Sequence, residues 1–112
     1  MTDTAGRVTV AQSVLHEIVR LTTLGVPGVT RLGARRSGDA FRSATKAGGV
    51  SVDVIDNRVE VDVYVLIAPD VNLRDTAKMI QAEIARSMKE LVGMDVSNVN
   101  VYVQDVEAPA AT

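Results

Sequence analysis

Three carboxylates, Asp53, Glu60 and Asp62, fall on two valine-alternating segments that can bring them to one face beside Tyr64. Just before them, four cations, Arg35, Arg36, Arg42 and Lys46, crowd a glycine-containing stretch. These eight residues form a candidate interaction surface. Its acidic half suits a basic partner or a hard divalent cation, although three carboxylates on a flat face make a poor cage. The other reading is a solvated sheet face whose like charges are screened at physiological salt. Both readings stand on the residues alone.

Catalytic chemistry has less to build on. His16 is the single histidine, with Arg20 one helical turn on and no Asp, Ser or Glu constellation tied to it, so it reads as an ordinary surface residue. The serines lack the strained strand-to-helix turn that exposes a nucleophile. Without cysteine there is no disulfide, no thiolate zinc site and no thiol nucleophile, which fits a reducing compartment. The glycines at 33–38 and 48–49 match neither a P-loop nor a dinucleotide fingerprint. No enzyme activity, metal or cofactor is expected.

The elements that carry these residues follow from periodicity. With 112 residues, 46% of them hydrophobic, the chain suits one domain, and its valine-rich composition favours a sheet. RVTV at 7–10 reads as a first strand. Val14, Ile18 and Leu21, widened by Leu15, Val19 and Thr22, give a helix that must stop by Gly25 ahead of Pro27. Residues 26–32 read as a second strand or an extended passage, and residues 33–49 as a basic mobile loop with room for a short helical turn at 40–46.

From Val50 the pattern sharpens. Asp56-Asn57 is a two-residue turn, because both residue types tolerate the positive φ of a tight hairpin. That register sets Val54, Val52 and Val50 against Val59, Val61 and Val63, with Asp53 across from Glu60 and Ser51 across from Asp62. A one-residue slip would set valines against charges. After Ala68-Pro69-Asp70, Asn72 is placed as an N-cap. Leu73, Ala77, Ile80, Ile84, Met88 and Leu91 then form a helical stripe ending at Gly93. A last strand turns Val99, Val101 and Val103 inward and Asn98, Asn100, Tyr102 and Gln104 outward. The expected fold is an α+β two-layer sandwich, two helices on one face of a mixed, mostly antiparallel sheet, in the order β-α-β-β-β-α-β.

Twelve Lys and Arg against fourteen Asp and Glu give a net charge of -2, too balanced for a dedicated nucleic-acid or membrane-surface binder. A KH-like RNA module is also disfavoured, because GARR at 33–36 lacks the second glycine of the GxxG clamp. The N-terminus is mixed and acidic as early as Asp3, and apolar runs fall far short of the roughly 20 residues that span a bilayer. The expectation is a cytoplasmic chain without direct membrane insertion, with frayed ends at 1–5 and 107–112 around a domain at 6–106.

Read in order, these segments resemble the bacterial alkaline-shock and general-stress family, often called the envelope stress response family. The resemblance rests on the opening GRVTV, V-x-G-V at 26–29, the valine hairpin, V-N-[LI] at 71–73 and G-[LM]-x-V-x-x-V-N-V at 93–101, and it covers residues 6–106. Two departures stand out. Ala11 occupies the position where a Ser or Asp commonly caps the first helix, which costs about 1 kcal/mol if nothing replaces it. The middle loop is unusually basic, with Arg31, Arg35, Arg36, Arg42 and Lys46 against Asp39 alone.

The resemblance implies a small non-enzymatic cytoplasmic protein that works by association and supports the envelope under stress. Its implied partners are a second copy of itself and a membrane-anchored protein that would hold it at the inner membrane face. Regulation of lipid or fatty-acid metabolism through protein binding is the alternative. No catalytic residues carry over. The charge layout adds that the basic loop of one molecule could dock on Asp53, Glu60 and Asp62 of another.

Overall fold

A computed structural model describes residues 9–33 and 49–107 of the chain. In chain order they form α1 (Gln12–Leu24), β1 (Val29–Leu32), β2 (Val50–Ile55), β3 (Arg58–Ile67), α2 (Leu73–Val92) and β4 (Asp95–Val106). The fold is α+β, with both helices packed on the valine face of a mixed four-stranded sheet. The first strand expected at 7–10 is not found: Thr9 and Val10 lie in no strand, and Arg7 and Val8 fall outside the described residues. The expected strand at 26–32 is shorter, because Gly28, at φ 98°, precedes it.

β3 is the centre of the sheet. β2 pairs with it antiparallel from Ile55↔Arg58 to Val50↔Val63, and β1 pairs antiparallel with its last residues, Val65 to Ile67. The two short strands therefore lie end to end along one edge of β3. β4 occupies the other edge, parallel, from Arg58↔Asp95 to Ile67↔Val106. A parallel partner needs a crossover, and α2 supplies it.

The hairpin has the expected register at every pair. Its turn residues Asp56 and Asn57 sit at φ 51° and 65°, the twofold positive φ of a type I′ turn, whose twist matches that of the flanking strands. On β4 the register shifts after Val96 and after Val103, so Ser97 and Gln104 are the extra residues. These bulges keep Val96, Val99, Val101 and Val103 opposite Val59, Val61, Val63 and Val65.

α2 begins and ends as its residues require. The Asn72 carboxamide oxygen accepts the Asp75 N–H at 3.0 Å, and Gly93 adopts φ 72°, where its N–H reaches the Lys89 carbonyl at 3.1 Å. Ile80, Ile84 and Met88 are buried against the sheet. Leu73 and Leu91, expected in the same stripe, are exposed. They sit on the two end turns of a helix about 30 Å long, beyond the buried layer.

α1 is rotated relative to the expected stripe. Leu15, Val19 and Thr23 are buried and Ile18 packs against the core, whereas Val14 and Leu21 face outward. This helix is apolar over more of its circumference than its neighbours cover. Its start lacks a side-chain cap: Ala11 has the extended backbone of an N-cap and nothing to offer the first N–H groups. Gln12, the first helical residue, instead donates from its side chain to the Val52 carbonyl and ties α1 to β2.

Candidate interaction surface

The alternation of β2, β3 and β4 sends a second set of side chains to the face away from the helices. Asp53 lies across from Glu60, Ser51 across from Asp62, and Asp62 across from Asn100 on the other side of β3. The Asn100 amide donates to Asp62 Oδ1 at 2.9 Å, so one carboxylate is held by its neighbour strand. Asp53 is exposed, while Glu60 and Asp62 are half-buried. The expected acidic row is therefore brought together, on adjacent strands of one face. Among the described residues, no three His, Cys, Asp or Glu side chains converge in a way that would hold a metal ion.

Tyr64 does not offer the open surface expected of it. It is 8% exposed, and Leu66 and Ser51 on the same face are also buried, so this end of the face is closed. The Ser51 hydroxyl is buried without a partner among the described residues. Tyr64 stacks on Tyr102, with ring centroids 4.8 Å apart and planes 16° from parallel, and it is Tyr102, 45% exposed, that meets solvent. The alternation of β4 sets Tyr102 outward, but its place beside Tyr64 depends on a parallel register across an entire helix, which no local pattern encodes. Arg35, Arg36, Arg42 and Lys46 lie outside the described residues.

Two further features depart from expectation. His16 is half-buried, with Nε2 enclosed and without a partner among the described residues, rather than a plain surface residue. Burial pushes its imidazole pKa below the usual value, and the Asp53 carboxylate and a backbone hydrogen bond at Gln12 oppose that shift only partly. At the far end of β4, Glu107, expected in a frayed tail, is held. Its N–H donates to the Ile67 carbonyl, its carbonyl accepts the Thr30 hydroxyl, and its carboxylate accepts from Arg31 Nε and Nη2 at 2.7 and 3.1 Å. The Arg31 guanidinium lowers the Glu107 pKa.

On the helical side, Leu21, Val26, Pro27 and Met79 line an open groove of about 320 Å³ between α1 and α2. No helix among the described residues is long and apolar enough to cross a membrane.

Residues 1–108 match the model of the alkaline shock protein 23 family, described as having a cell envelope-related function. The chain is 26% identical over 108 residues to the uncharacterized protein Spy1535 of Streptococcus pyogenes serotype M6, covering 96% of this chain and 84% of that one. It is 23% identical over 105 residues to the uncharacterized protein YqhY of Bacillus subtilis, covering 91% and 78%. Among solved structures it resembles MamM CTD in its copper form, with TM-score 0.55 at 11% identity over 89% of this chain and 91% of that one. That last likeness is one of fold. The order of segments, the valine hairpin and the match over nearly the whole chain agree: the chain belongs to the alkaline shock protein 23 family.

Proposed function

We propose that this chain is a non-enzymatic interaction module of the cell envelope, acting from the cytoplasm by association with itself and with a membrane-anchored protein. One observation carries the reading: both helices lie on the valine face, so Asp53, Glu60 and Asp62 stand together on the opposite face, beyond its buried end at Ser51, Tyr64 and Leu66. Carboxylates on a sheet face contribute little to folding, and charges directly opposite one another cost a few tenths of a kcal/mol. They are available for a basic surface, and Arg35, Arg36, Arg42 and Lys46 supply one in a second copy. Family membership supports the envelope setting.

Affinity capture from native membranes and cytosol tests the reading, with the native chain compared against Asp53→Lys/Glu60→Lys. Recovery of a membrane-anchored protein by the native chain, and its loss with the charge reversal, is the expected result. Equal recovery by both sinks the acidic-face assignment, and recovery of fatty-acid synthesis enzymes instead favours metabolic regulation. The charge-mediated self-contact has its own measurement: a scattering mass unchanged between low and high salt, and in Arg35→Glu/Arg36→Glu, rules it out.

A further inference from the structure

Each residue of a β-strand sends its N–H and C=O to the same side, and the side alternates along the chain. The Tyr64 N–H donates to Gly49 and its C=O accepts from Gly33, so the even-numbered residues of β3 face the β1–β2 edge. The odd-numbered residues face β4, as the Ile67 carbonyl does in accepting the Glu107 N–H at 2.9 Å. Val61, matched with Val99, therefore bonds to Asn98 and Asn100. The backbone groups of Val99, Val101 and Val103 consequently point off the free edge of β4.

That edge is blunted at both ends. Gln81 Nε2, reaching over from α2, donates to the Val99 carbonyl at 3.0 Å, and the Val106 N–H is taken by the Asp105 carboxylate at 2.8 Å. Between these caps, the N–H and C=O groups of Val101 and Val103 have no protein partner among the described residues. Unpaired edge groups of this kind are a template for another strand. Tyr102 lies between the two valines.

We propose that this window joins two copies of the chain, β4 against β4, antiparallel about a two-fold axis at Tyr102. Val101 of each copy lies opposite Val103 of the other, and each such pair exchanges both backbone hydrogen bonds. The register follows from the caps. A shift toward the N-terminus calls on the Val99 carbonyl, which Gln81 occupies, and a shift toward the C-terminus runs into the bulge at Gln104 and into Asp105, whose backbone faces β3. The window is its own complement, as an isologous contact requires, and this singles out a second copy as the occupant.

The aromatic side chains fit the same axis. Tyr102 of each copy falls in the non-hydrogen-bonded pair, where facing Cα atoms approach to about 4.5 Å and side chains are closest. The exposed Tyr102 rings meet there, each already stacked on Tyr64, and extend the row of rings across both sheets. The window is short, so the association is a concentration-dependent equilibrium rather than an obligate dimer. This contact rests on the self-association part of the proposed function and adds to it a second, backbone-mediated contact, separate from the one between the carboxylates and the basic stretch.

The absence of native cysteine makes the test direct. Tyr102→Cys and Asn98→Cys are oxidised with glutathione disulfide in the full chain and resolved on a non-reducing gel. Facing positions at the axis lie within disulfide reach, about 4.4–6.8 Å between Cα atoms, whereas two copies of residue 98 stand ~27 Å apart. Tyr102→Cys should become a covalent dimer and Asn98→Cys should remain monomeric. Val103→Pro keeps both tyrosines, removes a donor that no bond among the described residues uses, and should lower the scattering mass of concentrated protein to that of a monomer.

Equal cross-linking at both positions overturns the proposal. So does a native chain that stays monomeric at every concentration, or one whose edge takes up a strand of another protein instead. If the Tyr102 cross-link fails while carboxylate-dependent capture of a membrane-anchored protein persists, the edge contact is wrong and the envelope reading survives. The reverse pattern sinks the envelope reading alone.

Discussion

The backbone of Gly33 fills the space where a side chain on Gly49 would begin: a Cβ at Gly49 would overlap the Gly33 carbonyl. Gly33 and Gly49 meet there because both bond the same residue, Tyr64, at the point where β1 gives way to β2 along the edge of β3. Gly49 also holds φ 81°, a left-handed conformation. Gly49→Ala should therefore combine a left-handed penalty of ~1–2 kcal/mol with an overlap of ~1–3 kcal/mol. Gly93→Ala shares only the first cost, because nothing lies within 4 Å of its added Cβ. Urea unfolding of both variants measures the difference, and equal losses would show that the meeting of the two glycines carries no steric constraint.

Ala11 leaves α1 uncapped, and its backbone is already extended as an N-cap requires. Ala11→Asp should stabilise the protein by about 1 kcal/mol, through a side-chain acceptor for the first-turn N–H groups and a favourable charge at the helix start. The measurement is the shift in denaturation midpoint at constant m-value. No shift would mean that the Gln12 tether to Val52 already fixes the helix start.

His16 makes stability depend on pH in a defined direction. Burial lowers its pKa in the folded state below the ordinary imidazole value of about 6.5, so as pH falls the unfolded chain takes up a proton before the folded chain does. Stability should fall as pH drops through that value and level off below the folded pKa. His16→Gln should flatten this part of the profile. Asp53→Asn removes the opposing carboxylate, lowers the folded pKa further and extends the loss to lower pH. Unfolding curves between about pH 5 and pH 8 read all three, and a native profile as flat as that of His16→Gln would refute the linkage.

Met88 and Leu91 lie one turn apart on α2 with opposite fates, the first fully buried and the second 68% exposed. Met88→Ala should cost ~2–5 kcal/mol through lost burial and the cavity left behind. Leu91→Ala should stay within about 0.5 kcal/mol of the native protein. A large loss at Leu91 in dilute protein would contradict the exposed position.

The legible parts of this fold are those set by neighbours in the chain. The Asp56–Asn57 turn, the register from Val50↔Val63 to Ile55↔Arg58, the Asn72 cap and the Gly93 stop each depend on a few consecutive residues, and each was readable. What depends on distant partners was not. Val14 and Leu21 have the same hydropathy as Leu15 and Val19, and only the placement of α2 and the sheet decides which pair is buried. Tyr64 read as open because the alternation of β3 places it on the polar face, but nothing local to β3 announces Tyr102. His16 read as a surface residue because its burial comes from outside α1.

The parallel pairing of β3 with β4 also has a consequence in time. As the chain leaves the ribosome, β3 can pair at once with β2 through a two-residue turn, yet its other edge waits for α2 and then for residues 95–106. During that interval a long valine-rich edge stays open, the condition under which nascent chains aggregate. Substitutions that slow the docking of β4 are therefore expected to reduce soluble yield even where they leave the finished protein's stability unchanged.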